Sequence, residues 1–192
     1  MSAGKTEDRN TSDTIYQLKV TLKAIKPPIW RRIQVPGNIT LAKLHKILQA
    51  AMGWEDYHLY EFQIGRVSFG TPDPEFDMPV ENARTARLNK VVPEAKTRFQ
   101  YIYDFGDYWV HDVLVEKILP PEEGVRYPVC TGGKRACPPE DCGGIPGYLG
   151  MLETIKNPGD PEYEEILEWL GGTFDPEEFD LEAINNELKR IK

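Results

Sequence analysis

Histidine, cysteine and serine are all scarce in this chain. Its 192 residues include three histidines and three cysteines, and its serines are Ser2, Ser12 and Ser68. This inventory argues against a serine recombinase: two of the three lie in a polar N-terminal stretch, and Ser68 has no neighbouring base in sequence. An odd number of cysteines builds no self-contained disulfide framework and fits a reducing compartment. Long hydrophobic runs are also missing. No stretch approaches the ~20 apolar residues of a membrane span, and the N-terminus lacks a signal-peptide core. The expectation is a cytoplasmic protein with no membrane partner. A phosphate loop is absent too, since Gly132-Gly133-Lys134 lacks the full Gly-x-x-x-x-Gly-Lys-Ser/Thr frame. Thr131–Arg135 keeps only the capacity to meet an anion through backbone amides.

What is present is an ordinary globular composition, 40% hydrophobic and 28% charged, in a chain long enough for a core without metals or disulfides. The net charge of −8 is unevenly spread. Residues 16–60 carry Lys19, Lys23, Lys26, Arg31, Arg32, Lys43 and Lys46 against only Glu55 and Asp56, whereas residues 120–192 are dominated by Asp and Glu. Such halves attract each other, a second copy or an unknown protein partner. A basic segment also admits nucleic acid, although a pI near 5.0 argues against a dedicated footprint. Within that segment Trp30, Arg31 and Arg32 are the nucleic-acid candidates, a ring and two cations suited to stacking on a base; core packing with solvated arginines is the competing reading.

Residues 1–14 are polar and aperiodic and read as a disordered tail, leaving 15–192 as a single domain. Tyr16, Leu18, Val20 and Leu22 alternate, predicting a strand, and Ile29, Ile33 and Val35 predict a second after Pro27-Pro28. Thr40 is placed to cap a helix reaching Met52, with Leu41, Leu44 and Leu48 on one face and Gly53 ending it. A third strand is expected over His58–Ile64, with a short return at Val67–Phe69. Residues 70–98 are loop-rich, with Leu88, Val91 and Val92 forming a helical turn or short strand. The centre of the chain is Phe99–Ile118, two strands joined by the turn Asp104-Phe105-Gly106-Asp107. On the second, Trp109, His111, Val113 and Val115 share one face. The following segment, CTGGKRACPPEDCGG, is too rich in Gly and Pro for a regular element. Three helices close the chain, one using Tyr148, Leu149, Leu152 and Ile155, and two opened by Asp160-Pro161 and Asp175-Pro176. Strands first and helices later predict an α+β fold, an antiparallel or mixed sheet packed against helices with a helical C-terminal region.

Three runs, LHKILQAAMGWEDYHLYEF (Leu44–Phe62), YDFGDYWVH (Tyr103–His111) and YPVCTGGKRACPPEDCGG (Tyr127–Gly144), resemble the plasmid pRiA ORF-three-like family in its motif order. The resemblance spans residues 15–185 and implies an α+β fold, no established activity, and occurrence on plasmids and beside mobile elements. A transposon-resolvase label attached to some members marks genomic company. The residues argue against that chemistry: no serine is placed for it, and no Arg…His-x-x-Arg cluster precedes a tyrosine.

Two shared sites remain open. Cys130, Cys137 and Cys142, with six and four residues between them, could join His111 around a structural zinc ion, the cofactor this set implies; the competing reading is three small buried thiols ordering a loop. Alternatively His45, His58 and His111 could converge with Asp104, Asp107 and Glu61 on a catalytic or divalent-metal pocket. Against this, each histidine sits beside apolar residues, as satisfied core histidines do, and the two aspartates suit turn formation. Cys137 after Lys134-Arg135 is a third candidate, a thiol with cations nearby to activate it. The leading function class is a non-catalytic binding or interaction module; the alternative is a metal- or His/Cys-dependent enzyme.

Overall fold

The computed structural model describes residues 14–72 and 80–191. The tail up to Asp13 and the loop signals Asp73-Pro74 and Met78-Pro79 lie outside the described residues. The first strand β1 (Ile15–Leu22) pairs antiparallel with β2 (Trp30–Pro36). Helix α1 (Leu41–Met52) follows and begins as the capping rule requires, with Lys43 N donating to Thr40 Oγ1. It ends at Gly53, whose φ of 84° is the left-handed conformation that glycine adopts without strain. Strands β3 (Tyr60–Ile64) and β4 (Val67–Gly70) form a hairpin, and β5 (Glu81–Asn82) adds a short parallel edge. A helical turn, α2 (Leu88–Val91), precedes the long hairpin of β6 (Arg98–Tyr103) and β7 (Trp109–Leu119).

Next comes β8 (Val129–Lys134), a strand inside the segment whose glycines argued against any regular element. The glycines there serve packing. A Cβ on Gly133 would lie 2.3 Å from the Phe179 ring and 2.8 Å from the Trp30 carbonyl oxygen. Helices α3 (Gly144–Thr154), α4 (Tyr163–Trp169) and α5 (Leu181–Leu188) complete the chain. Their starts differ from expectation. Asp160 and Asp175 bond the backbone two residues on and make turns, and the true cap of α5 is Asp180, which accepts from Ala183 N. Trp169, expected inside, is 48% exposed, and Leu149 also faces outward.

The eight described strands form one mixed sheet in the order β5-β4-β3-β6-β7-β1-β2-β8, so the fold is α+β. β7 lies between β6 and β1, which makes the hairpin central as expected. One face of the sheet carries Leu18, Val20, Ile33, Tyr101, Trp109, Val113 and Val115 into a core shared with Leu41, Leu44 and Leu48 of α1. Burial of each such aliphatic side chain contributes roughly 2 kcal/mol. The other face along β1, β2 and β7 is polar and half-exposed.

Candidate metal centre

The β6–β7 turn organises the site, although not by glycine. Asp104 (φ 57°) and Tyr108 (φ 58°) are the residues in the left-handed region, and Gly106 is not. Asp104 tolerates this because its own side chain closes the turn, with Gly106 N donating to Asp104 Oδ1 at 2.8 Å. That bond leaves the second carboxylate oxygen, on a residue that is itself buried, facing the neighbouring loops. Two other loops meet it there. His58, which falls just before β3 instead of within it, brings Nε2 to 3.7 Å from Asp104 Oδ2. Asp141, just before α3, brings Oδ1 to 2.8 Å from the same nitrogen. Among the described residues, these three form the one His/Cys/Asp/Glu group whose ligand atoms all lie within 4.8 Å of one another.

The approach of His58 to Asp141 is close, yet it lies off the line of a ring hydrogen bond, and Nε2 is shut away from solvent without a hydrogen-bond partner. A cation with ligand distances of about 2.0–2.2 Å would hold such atoms roughly 3 Å apart, so small side-chain rotations suffice to close around one. One imidazole and two carboxylates suit zinc, manganese or ferrous iron.

A second set of bonds holds the loops in place. The Tyr103 hydroxyl accepts from the backbone nitrogens of Tyr57 (3.1 Å) and His58 (3.3 Å) and donates to Glu140, the neighbour of Asp141. Burial, followed by the adjacent Glu140, pushes the Tyr103 phenol far up, so it stays protonated and able to donate. Glu140 also accepts from Glu55 N at 2.7 Å, and Asp107 Oδ2 accepts from Gly143 N at 3.1 Å. Asp107 therefore supports the loop that carries Asp141.

The remaining candidates go elsewhere. His45 is buried on α1, stacked 3.6 Å from the Tyr60 ring, with Nδ1 2.8 Å from the Tyr101 hydroxyl and Nε2 2.6 Å from Asp56. Gln49 donates to the same Tyr101 oxygen, so the tyrosine proton points at His45 Nδ1 and Nε2–H serves Asp56. Burial lowers the His45 pKa, with Asp56 opposing. His111 is fully buried, bonded through Nδ1 to the Tyr101 carbonyl and edge-on to Trp54, and burial lowers its pKa to about 4. Glu61 accepts from Gln63 and Ser68 within the sheet.

The thiols do not gather with His111. Cys130 lies against Gly132 O, and Cys137 takes a bond from Arg31 Nη2 at 3.1 Å and touches Met52 Sδ at 3.5 Å. Cys142 follows Asp141, but burial, then Asp107 and Asp141, pushes it up to about 12. Burial likewise holds Cys137 up at about 11 despite Arg31, so neither is a ready thiolate. Arg31, a nucleic-acid candidate, is 4% exposed and spent on Ala51 O and Lys134 O. Asp141 is the residue that sequence reasoning missed. Its one signal was its place in the third motif run; nothing in its spacing set it apart from other surface acids.

Each of the three motif runs thus contributes one member: Leu44–Phe62 brings His58, Tyr103–His111 brings Asp104, and Tyr127–Gly144 brings Asp141. The profile of the plasmid pRiA4b ORF-3-like proteins matches residues 14–183. The chain belongs to this family. A relative within reach of the whole fold is an uncharacterised protein, y4hQ, of Sinorhizobium fredii (strain NBRC 101917 / NGR234), 41% identical over 161 residues, or 83% of this chain and 82% of that one. The crystal structure of a protein of unknown function, MM3350, from Methanosarcina mazei Go1 is similar at 47% identity with a TM-score of 0.79, covering 88% of this chain and 96% of that one. The fold is therefore shared with a solved structure at 47% identity. Among the described residues no helix is long and apolar enough to cross a membrane.

Proposed function

We propose that this protein binds one divalent transition-metal cation through His58, Asp104 and Asp141. The observation that carries the proposal is the convergence of three ligand atoms, from three separate loops, within 4.8 Å. Of the two function classes open to the sequence, this geometry favours the metal-dependent one. The thiol form of it is disfavoured, because among the described residues no cysteine belongs to a group of ligand atoms within 4.8 Å of one another.

The site is open on one side. The side chains of Asp141 and His58 are 63% and 30% exposed, while that of Asp104 is 9% exposed. Asp104 is thus the anchored ligand and Asp141 the outer one. A cation held here keeps positions facing solvent, which water or an oxygen-bearing ligand fills, as in open catalytic sites and unlike closed structural ones.

Calorimetric titration of chelator-treated protein with Mn²⁺ and with Zn²⁺ tests the proposal. One cation per chain is expected, with affinity at least tenfold weaker in Asp104→Asn and in His58→Ala. Binding that is absent, or equal in wild type and both variants, overturns it.

A further inference from the structure

The uncovered face of the sheet carries charge of the opposite sign to the rest of the protein. Cross-strand register puts Arg98, Leu114, Lys19 and Arg32 in one row across β6, β7, β1 and β2. The next row runs Gln100, Asp112, Thr21, Trp30 and Lys134, ending on β8. Residues directly paired across antiparallel strands share a face, so these side chains form one surface. A shallow cleft of about 530 Å³ lies on it, lined by Gln17, Arg32, Lys96, Leu114, Glu116 and Lys117.

The acids on this surface are already engaged. Glu116 takes Arg32 through two bonds of 2.6 and 2.9 Å, and Asp112 lies 3.8 Å from Lys23. Among the described residues, no carboxylate lies within ion-pair distance of Lys19, Lys96, Arg98, Lys117 or Lys134. Trp30 sits among them half-exposed, with Lys19 Nζ 5.0 Å and Arg32 Cζ 5.2 Å from its ring centroid. A net charge of −8 does not cancel this patch. At physiological salt the Debye length is about 8 Å, so a ligand lying on the sheet meets mainly the local cations.

We infer that this open sheet face binds single-stranded nucleic acid, with Lys19, Arg98 and Lys117 on the phosphates and Trp30 offering a ring to a base. The chemistry selects that partner. Spaced, unpaired cations fit a phosphodiester backbone, and an aromatic ring fits an unstacked base. The surface presents no helix to enter a duplex groove. The inference is independent of the metal proposal, because Arg98 and Leu114 lie at the opposite end of the β6–β7 hairpin from the Asp104 turn.

Fluorescence anisotropy with labelled single-stranded DNA and RNA of about 20 nucleotides reads this directly. Saturable binding is expected at low salt. Neutralising about four phosphates predicts an affinity loss of roughly 50-fold between 50 and 200 mM salt. The triple variant Lys19→Glu/Arg98→Glu/Lys117→Glu should bind at least tenfold more weakly, whereas the control Lys156→Glu/Arg190→Glu, in the turns that follow α3 and α5, should match wild type. Single Lys19→Gln and Arg98→Gln variants, which keep the sheet neutral, should each lower the salt slope by roughly 0.7. Trp30→Phe should remove the fluorescence quenching that accompanies binding. No saturable binding at 50 mM salt, equal binding by the sheet-face and control variants, or equally tight binding of duplex or polyphosphate overturns the inference.

Discussion

His111 shows how a single buried side chain shapes the whole protein's response to pH. Its ring is sealed beneath Trp54, with Nε2 lacking a partner, and its pKa falls to about 4 because burial penalises the charged form. In the unfolded chain the same ring titrates near ~6.5. Between those values the unfolded state binds the extra proton, so the stability held above pH ~6.5 is lost as pH falls toward 4, on the order of 3 kcal/mol in all. Burial lowers the His45 pKa as well, so it acts in the same direction. The unfolding free energy of wild type from urea titration should therefore drop from pH 7 to pH 5, and in His111→Leu that drop should shrink by roughly 2 kcal/mol. Arg31 teaches a related lesson. Side-by-side with Trp30 and Arg32 in sequence, it points to the opposite face of β2 and ties the end of α1 to the end of β8 through Ala51 O and Lys134 O. Arg31→Leu should cost about 3 kcal/mol by orphaning both carbonyls, measurable by chemical denaturation, and should leave metal binding in place.

Among the elements, α1 was legible to the residue because all its signals are local: a Thr40 cap, an apolar stripe and a left-handed Gly53. The C-terminal helices were legible only as helices. Their Asp-Pro pairs make turns that precede the helices, and which face each one buries depends on neighbours distant in sequence. α3 carries a local constraint that bears directly on the site. Gly144 has φ of 65°, and a Cβ there would meet Asp107 O at 2.6 Å. Alanine at 144 cannot be accommodated without moving the β6–β7 turn away from the Asp141 loop. Gly144→Ala is thus expected to lower the melting temperature by several degrees and to weaken Mn²⁺ binding, although it removes no ligand. The short strand β8 is completed by α5 in an unusual way: Asn185 accepts from Cys130 N at 2.8 Å and donates to Cys130 O at 3.0 Å, as a further strand would.

For the whole molecule, that contact has a consequence for association. β8 is an edge strand, and α5 with Phe179 covers part of it. Truncation before Phe174 should leave the rest of the sheet folded but expose an unpaired edge, giving larger, concentration-dependent species by size-exclusion chromatography than the full chain does. The charge distribution follows the same three-dimensional logic. The basic segment 16–60 is divided by the strand period: Lys19 and Arg32 stay on the open face, while Arg31 is taken into the interior.

Alternation and capping alone determined the strands β1, β2, β6 and β7, the helix α1, the central position of the hairpin and the α+β class, because each depends on the period of side chains along a short stretch. Residue type alone placed His58 and Asp104 in a wider candidate set with His45, His111, Asp107 and Glu61, and could not choose among them. Only the tertiary structure decided that His58 and Asp104 meet Asp141 while His45, His111 and the three cysteines stay apart. That choice rests on where three loops end when one sheet closes over one core, a distance that no periodicity encodes.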